Sequence, residues 1–143
     1  MDNDDGIYRG PARFRNHRDP LTSFRWFINR AASRAEKLGV GDLTAEYLQQ
    51  VWKAQLGICP ITGWPMYLPV GSRGFSGKSK RNASLDRTDN SKGYVEGNVR
   101  FVCLMANIAR SDFTDTDVVE FAHAVAEKHP KENFDFTEDE FPG

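Results

Sequence analysis

Apolar residues first fall into a regular pattern at residue 22, where they recur every three or four positions. This spacing predicts an amphipathic helix over residues 22–38, with Thr22 or Ser23 as its N-cap and Gly39 as its stop. The opposite face is basic, and it either follows a nucleic-acid backbone or simply keeps the helix soluble. The apolar face consists of Phe24, Phe27, Ile28, Ala31, Ala35 and Leu38.

The same spacing predicts two more helices. One covers residues 44–56 and begins at Thr44, a good N-cap. Its core-facing residues are Tyr47, Leu48, Val51, Trp52 and Leu56. The other lies within residues 113–130, where Thr114 and Asp117 can form a capping box. Its expected buried face consists of Val118, Phe121, Ala122, Val125 and Ala126.

Between these helices, polar and apolar residues alternate as they do in strands. We predict strands over residues 84–88 and 98–102, joined by a loop rich in Gly, Asn and Lys, and then a helix over residues 103–111. Residues 58–69 are typical of a tight hairpin, and residues 71–82 of a flexible basic loop that becomes ordered on a ligand. The expected fold class is therefore α+β, with a two-stranded hairpin and flanking helices.

Charge is distributed unevenly along the chain, although the net charge is only −1. Residues 8–37 have a net charge of +6, residues 72–110 of +5 and residues 111–143 of −8. This pattern indicates a polyanion-binding face with an acidic end, but ordinary solvated surface would give the same runs. We divide the chain into a basic and aromatic arm (1–21), a two-helix segment (22–57), a core (58–112), a C-terminal helix (113–130) and an acidic tail (131–143).

No apolar run is long enough to span a membrane, and the first six residues lack the apolar segment of a signal peptide. We therefore expect a cytoplasmic protein without a membrane partner. Its two cysteines, Cys59 and Cys103, should stay reduced there.

Two oxygen donors flank the predicted hairpin and suggest metal chemistry. Asp86 lies at the end of the first strand, and Asn107 lies on the helix twenty-one residues later. A hairpin followed by a helix would bring these positions together. Carboxylate and carboxamide oxygens suit one Mg²⁺ or Mn²⁺ ion per active site, which could act on a phosphodiester.

Over residues 45–112 the chain resembles the HNH, or ββα-metal, endonuclease superfamily. The resemblance rests on Leu85-Asp86-Arg87, Gly93-Tyr94, Gly97-Asn98-Val99 and the helix that bears Asn107. It implies a ββα-metal core, cleavage or nicking of DNA with Asp86 and Asn107 as the metal ligands, and an origin in a phage or bacterial cytosol. It also leaves a homodimer open, because many such nucleases need two active sites for a double-strand cut.

The chain departs from the family pattern where a general-base histidine is expected, since Arg87 stands there. A guanidinium, with a pKa above about 12, does not act as a base near neutral pH. The chain resembles a variant in some restriction-type HNH enzymes. That likeness implies that Arg87 clamps the scissile phosphate, Tyr94 orients or deprotonates the water, and Asn98 braces the loop. Alternatively, Tyr94 packs over the loop and Arg87 pairs with Asp89 or Glu96.

The second departure concerns the structural zinc of the superfamily. Thr62 and Ala106 stand where the second thiol of each Cys-x-x-Cys pair would be, so we predict no structural zinc. Cys59 and Cys103 should instead be buried close to each other.

Basic residues from several segments are candidates for phosphate contacts. They are Arg25, Arg30, Arg34, Lys78, Lys80, Arg81, Lys92, Arg100 and Arg110. The competing interpretations of the whole chain are a DNA-binding module that has lost cleavage, and a nuclease for RNA or branched DNA.

Overall fold

The computed structural model describes residues 19–34 and 41–136, and within them the protein is a mixed α+β structure. Its helices are α1 (Thr22–Arg34), α2 (Ala45–Ala54), α3 (Leu104–Arg110) and α4 (Asp115–Lys128), and its strands are β1 (Ala83–Arg87) and β2 (Val99–Cys103). Two short 3-10 turns cover Gly71–Arg73 and Lys131–Asn133. No helix in the described ranges is long and apolar enough to cross a membrane.

The hydrophobic core lies between α1, α2 and one face of the hairpin, and Phe101 of β2 is at its centre. Its ring meets Phe24, Phe27 and Trp52 edge to face, with centroids 6.2, 5.0 and 5.4 Å away. Such edge-to-face pairs contribute about 0.5–1.5 kcal/mol each beyond the area they bury. The aromatic residues of two helices thus fix the position of β2.

The two strands pair antiparallel, in a register that runs from Ala83 opposite Cys103 to Arg87 opposite Val99. Because side chains alternate across a sheet, Leu85 and Phe101 face the core. Asp86 and its cross-strand partner Arg100 face the other way, toward α3 and α4. The predicted strands and the helix after them are confirmed to within one residue at each end.

Helix α2 begins as predicted, because the Thr44 hydroxyl accepts a hydrogen bond from the Tyr47 amide at 3.1 Å. Its predicted end is wrong. The helix stops at Ala54, and Leu56 has a φ of +56° and an 82% exposed side chain. The chain turns here through Leu56 and Gly57, both with positive φ, and the Gly57 amide donates to the Trp52 carbonyl at 3.1 Å. Beside the turn, the Gln55 side chain bonds the Phe101 main chain twice: Nε2 donates to the carbonyl and Oε1 accepts from the amide, both at 2.8 Å.

The basic loop predicted over residues 71–82 is in fact partly packed into the fold. Phe75 meets the Trp26 ring edge to face at 5.2 Å. Asn82 is buried, donates to the Gly77 carbonyl at 2.9 Å and forms an isolated parallel bridge with Tyr67. The sequence did not predict this packing, because one aromatic ring and one buried amide give no periodic pattern of apolar residues.

The capping box of α4 is confirmed by reciprocal bonds between Thr114 and Asp117. The predicted buried face of this helix is wrong. Val118 is buried, but Phe121 is 62% exposed and Val125 is 44% exposed, and Ala122 and Ala126 are exposed as well. The seven-residue α3, against which α4 packs, is too short to cover that stripe. For α1, the predicted end at residues 35–39 lies outside the described residues.

Candidate functional site

Asp86 lies on the face of β1 that is turned toward α3 and α4, only 4% exposed, between two arginines. Its Oδ2 accepts from Arg100 Nε at 3.0 Å, and its Oδ1 accepts from Arg110 Nη1 at 2.8 Å. Arg100 also donates to both oxygens of Asp115, at 2.8 and 2.6 Å. The two carboxylates balance the two guanidinium groups, so this network joins β1, β2, α3 and the start of α4.

The electrostatic consequence is clearest at the partly exposed end of the network. Hydrogen bonding to Arg100 holds the pKa of Asp115 below its ordinary value. The same bonds to Asp115, reinforced by Asp86, raise the pKa of Arg100. Both groups are therefore charged across the whole pH range in which the protein would work.

Asn107, the second expected metal ligand, donates from Nδ2 to the Ser84 hydroxyl at 2.6 Å. Ser84 and Asp86 are two residues apart on β1 and share a face, so Asn107 and Asp86 lie along the same side of the hairpin. Both Asp86 oxygens, however, already accept from guanidinium groups. Among the described residues no three His, Cys, Asp or Glu side chains cluster as a cation site. This arrangement does not fit a bound cation unless an arginine gives way.

Arg87 and Tyr94 form the exposed part of the site. The guanidinium carbon of Arg87 lies 5.1 Å from the centre of the Tyr94 ring, a cation–π distance. Arg87 Nη1 donates to the main-chain carbonyls of Asn90 and Lys92, at 3.3 and 3.2 Å, and these bonds take the place of the alternative pairing with Asp89 or Glu96. The Tyr94 ring therefore lies against Arg87. This position is compatible with both interpretations of Tyr94, as a residue that acts on the attacking water and as a ring packed over the loop.

Asn98 holds the loop that carries Tyr94. Its buried amide donates to the carbonyls of Asp89 and Gly93, at 3.1 and 2.9 Å. Its Oδ1 accepts from the Thr88 hydroxyl and from the Asp89 amide, both at 2.9 Å. The expected bracing hydrogen bonds are thus present, and they close the loop next to Tyr94. The part that Asn98 plays in catalysis stays a prediction.

A pocket of about 470 Å³ adjoins Tyr94 and Ser84. It lies between α1, the segment around Phe75 and the outer edge of β1. Aromatic rings and basic side chains line it, among them Trp26, Arg30, Phe75 and Lys78. Sequence reasoning missed Trp26 and Phe75, because neither belongs to an apolar stripe. It also missed Ser84, although the alternation with Asp86 on one strand face was a usable signal.

The candidate phosphate-binding residues divide into a group at the surface and a pair, Arg100 and Arg110, that is bound to carboxylates. Arg30 lies over Trp26 at 5.0 Å, while Lys80 and Arg81 lie over the Trp64 ring at 5.7 and 4.8 Å. Lys78 and Lys92 are exposed, and exposed Arg25 lies 3.6 Å from Asp19. The side chain of Arg34 lies outside the described part of the structure. These residues, Arg34 apart, remain on surfaces that a polyanion can reach.

Arg100 and Arg110 require a correction, because Arg110 is buried, Arg100 is only partly exposed, and carboxylates engage both guanidinium groups. Arg110 is buried and donates to Asp86 and to the carbonyls of Arg87 and Thr88. Arg100 is tied to Asp86 and Asp115. In this arrangement they hold the hairpin to the helices, since their charge is already balanced by carboxylates.

Cys59 and Cys103 are fully buried, free and hydrogen-bonded to each other, which confirms that they lie close together. The Thr62 hydroxyl is 3.8 Å from the Cys103 sulfur. The hydrogen bond to Cys59, together with burial, raises the pKa of Cys103. The absence of a structural zinc stays a prediction for elemental analysis to test.

In comparisons with protein-family models, with curated proteins and with solved structures, the chain matches none. The functional interpretation therefore depends on the residues and geometry of the chain itself.

Proposed function

We propose that the protein is an HNH-type endonuclease that hydrolyses or nicks DNA phosphodiester bonds. In this proposal β1, β2 and α3 form a ββα-metal core. One observation carries it: Asn98 fixes the hairpin loop with four hydrogen bonds, and that loop places Tyr94 against Arg87. A permanent cation and a tyrosine are thereby paired beside a basic pocket, an arrangement that can bind a phosphodiester and position a water molecule.

The two side chains take different tasks. Arg87 binds the scissile phosphate and stabilises the negative charge that develops on it, since a guanidinium matches phosphate oxygens and keeps its proton. Tyr94 orients the attacking water or, as its phenolate, takes a proton from it. Its ring is held beside the phosphate site by the Arg87 guanidinium that lies over it.

Mg²⁺ or Mn²⁺ is the proposed cofactor, with Asp86 and Asn107 as its proposed ligands. A bound divalent cation would polarise the phosphate. Because Asp86 is held by Arg100 and Arg110, metal binding has to displace at least one of these guanidinium groups. We therefore assign the steps above to Arg87 and Tyr94 alone.

DNA is the proposed partner because the basic side chains gather on one side of the site. Arg30, Lys78 and Lys80 lie around the pocket and the adjoining segment, whereas α4 and the residues after it are mainly acidic. A polyanion would be drawn to the first surface and repelled by the second. RNA and branched DNA belong in the same assay as competing substrates.

A second candidate function is a DNA-binding module that has lost cleavage. The observation in its favour is the Asp86 carboxylate, which is engaged by two arginines and not open to a cation. In this interpretation the basic surface still binds DNA, and the Asp86 network is purely structural.

Plasmid nicking with Mg²⁺ or Mn²⁺ tests both candidates, with Tyr94→Phe as the main variant. This change removes one hydroxyl and keeps the ring beneath Arg87. If the proposal holds, Tyr94→Phe loses about 10²–10⁴-fold in rate, the usual contribution of a general base, and still binds DNA. Arg87→Gln should lose cleavage as well, whereas the exposed control Arg73→Gln should not.

One outcome counts against the enzyme, and another counts against the role of Tyr94 alone. If the wild type binds DNA but cuts neither DNA nor RNA with any divalent metal, the binding module is the correct interpretation. If Tyr94→Phe cuts as fast as the wild type, Tyr94 is not the base.

A further inference from the structure

The pocket beside Tyr94 has the size and lining of a ligand site. At about 470 Å³ it falls within the range of about 300–1,000 Å³ that small-molecule pockets occupy. One wall is α1, another is the segment from Phe75 to Lys78, and the third is β1 from Ala83 to Leu85. Ser84 and Tyr94 line this pocket and also belong to the candidate site, so a molecule bound here lies next to Arg87.

Half-buried aromatic rings give the pocket flat apolar surfaces. Trp26 and Phe75 meet edge to face with centroids 5.2 Å apart, and the Tyr94 ring also lines the pocket. Trp26 lies outside the apolar stripe of its helix, yet Gly74 approaches it so closely that an added Cβ would come within 2.9 Å of its indole nitrogen. Rings held in this way are the stacking platforms on which proteins bind unpaired bases.

The charge of the lining favours an anion. Arg30 and Lys78 are cationic, and none of the described residues that line the pocket is acidic. A second pocket, of about 560 Å³ between the hairpin loop and the start of α4, is lined by Asp89, Asp112 and Asp115 and by two arginines, Arg100 and Arg110, whose charge carboxylates already balance. A phosphate-bearing ligand would therefore enter the first pocket and avoid the second.

The main chain of β1 supplies hydrogen-bonding groups as well. At the two ends of the hairpin, the Thr88 amide donates to the Asn98 carbonyl and the Leu104 amide donates to the Asn82 carbonyl. Because main-chain groups alternate in direction along a strand, those of the even-numbered residues of β1 point toward β2. Odd-numbered residues point their amide and carbonyl groups the other way, and the Ala83 amide indeed donates outward to Tyr67. Leu85 follows this alternation, which directs its peptide groups to the pocket that it lines.

We propose that this pocket binds a single unpaired nucleotide of the DNA strand that the enzyme cuts. The base packs among Phe75, Trp26 and the Arg30 guanidinium that lies over the Trp26 ring. Its polar edge meets the outer edge of β1, and its phosphate lies against Lys78. This inference rests on the proposed nuclease function and adds a substrate preference to it. Because a base must leave the helix to enter the pocket, single-stranded or locally unpaired DNA is bound more tightly than intact duplex.

Gly77→Leu is the variant that tests the pocket. Gly77 lines it, and a Cβ at this position meets no atom within 4 Å, so leucine adds bulk without a backbone clash. Ser76→Leu is the matched control, since Ser76 is the exposed neighbour and does not line the pocket. Lys78→Ala removes the phosphate contact without touching the rings.

Binding is measured in EDTA by fluorescence anisotropy, so that cleavage plays no part. The probes are a labelled thymidine 12-mer, its duplex and a 12-mer of abasic residues. We expect wild type and Ser76→Leu to prefer the thymidine strand. Gly77→Leu should raise the Kd for the thymidine strand at least about fivefold, since stacking of one base contributes on this scale. The Kd for the duplex should stay the same.

Two results would overturn the proposal: equal binding of the thymidine and abasic strands by the wild type, or equal binding of the thymidine strand by Gly77→Leu and wild type. Failure of the nuclease proposal gives a different result, because plasmid nicking is then absent while the anisotropy pattern is unaffected.

Discussion

Removal of the Asp86 carboxylate should destabilise the fold strongly, because two guanidinium groups depend on it. In Asp86→Asn the side chain keeps its shape but loses its charge. Arg110, whose side chain is 7% exposed, would then lack its principal carboxylate, although it keeps its bonds to the Arg87 and Thr88 carbonyls. Breaking a buried ion pair from one side costs about 3–5 kcal/mol.

We expect a value near the lower end, about 3 kcal/mol, because the carbonyl bonds remain. For a domain of this length that corresponds to a fall in Tm of about 10 °C. The assay is urea unfolding followed by tryptophan fluorescence, in EDTA so that no metal contributes. Asp135→Asn, at an exposed carboxylate, serves as the control and should change the free energy of unfolding by less than about 0.5 kcal/mol.

A loss below about 1 kcal/mol, or a gain in stability, would refute the reasoning, because a carboxylate kept only for metal binding behaves that way. The expected result also has a practical meaning for enzymology. A cleavage defect in an Asp86 variant identifies a metal ligand only after the variant is shown to fold at the assay temperature.

Three further predictions follow from other contacts. Gln55→Met should cost about 1–3 kcal/mol in urea unfolding, because it leaves the Phe101 amide and carbonyl without partners. Asp115 has a lowered pKa in the fold, so its carboxylate stabilises the fold at pH values above its unfolded pKa of about 3.9. This stabilisation is lost as the pH falls below that value, and Asp115→Asn should flatten this part of a plot of unfolding free energy against pH. Cys103, buried with a raised pKa, should react with iodoacetamide at pH 8 only after unfolding.

Local patterns predicted the hairpin and α3 well. The alternation around Leu85 and Phe101 and the cap at Thr44 are signals carried by neighbouring residues, and the structure reproduces both. The bracing by Asn98 could also be anticipated, since its partners lie within ten residues. These parts of the fold are determined by short-range geometry.

Partners distant in sequence could not be predicted in the same way. Nothing near Gln55 shows that it bonds Phe101, forty-six residues away. A run of basic residues does not show which of them face solvent, so Arg100 and Arg110 were assigned to phosphate while the fold pairs them with carboxylates. Periodicity in α4 marked an apolar face without indicating whether anything covers it.

The contact between Gln55 and Phe101 also bears on how the hairpin avoids joining other chains. An open strand edge presents unpaired amide and carbonyl groups, which a neighbouring molecule can extend into a larger sheet. At the outer edge of β2 the Phe101 peptide is already bonded in both directions, by a side chain that imitates a third strand. One glutamine thus stands where larger sheets use another strand. Its loss would leave this edge, in a folded molecule, without the bonds that a neighbouring strand would otherwise make to it.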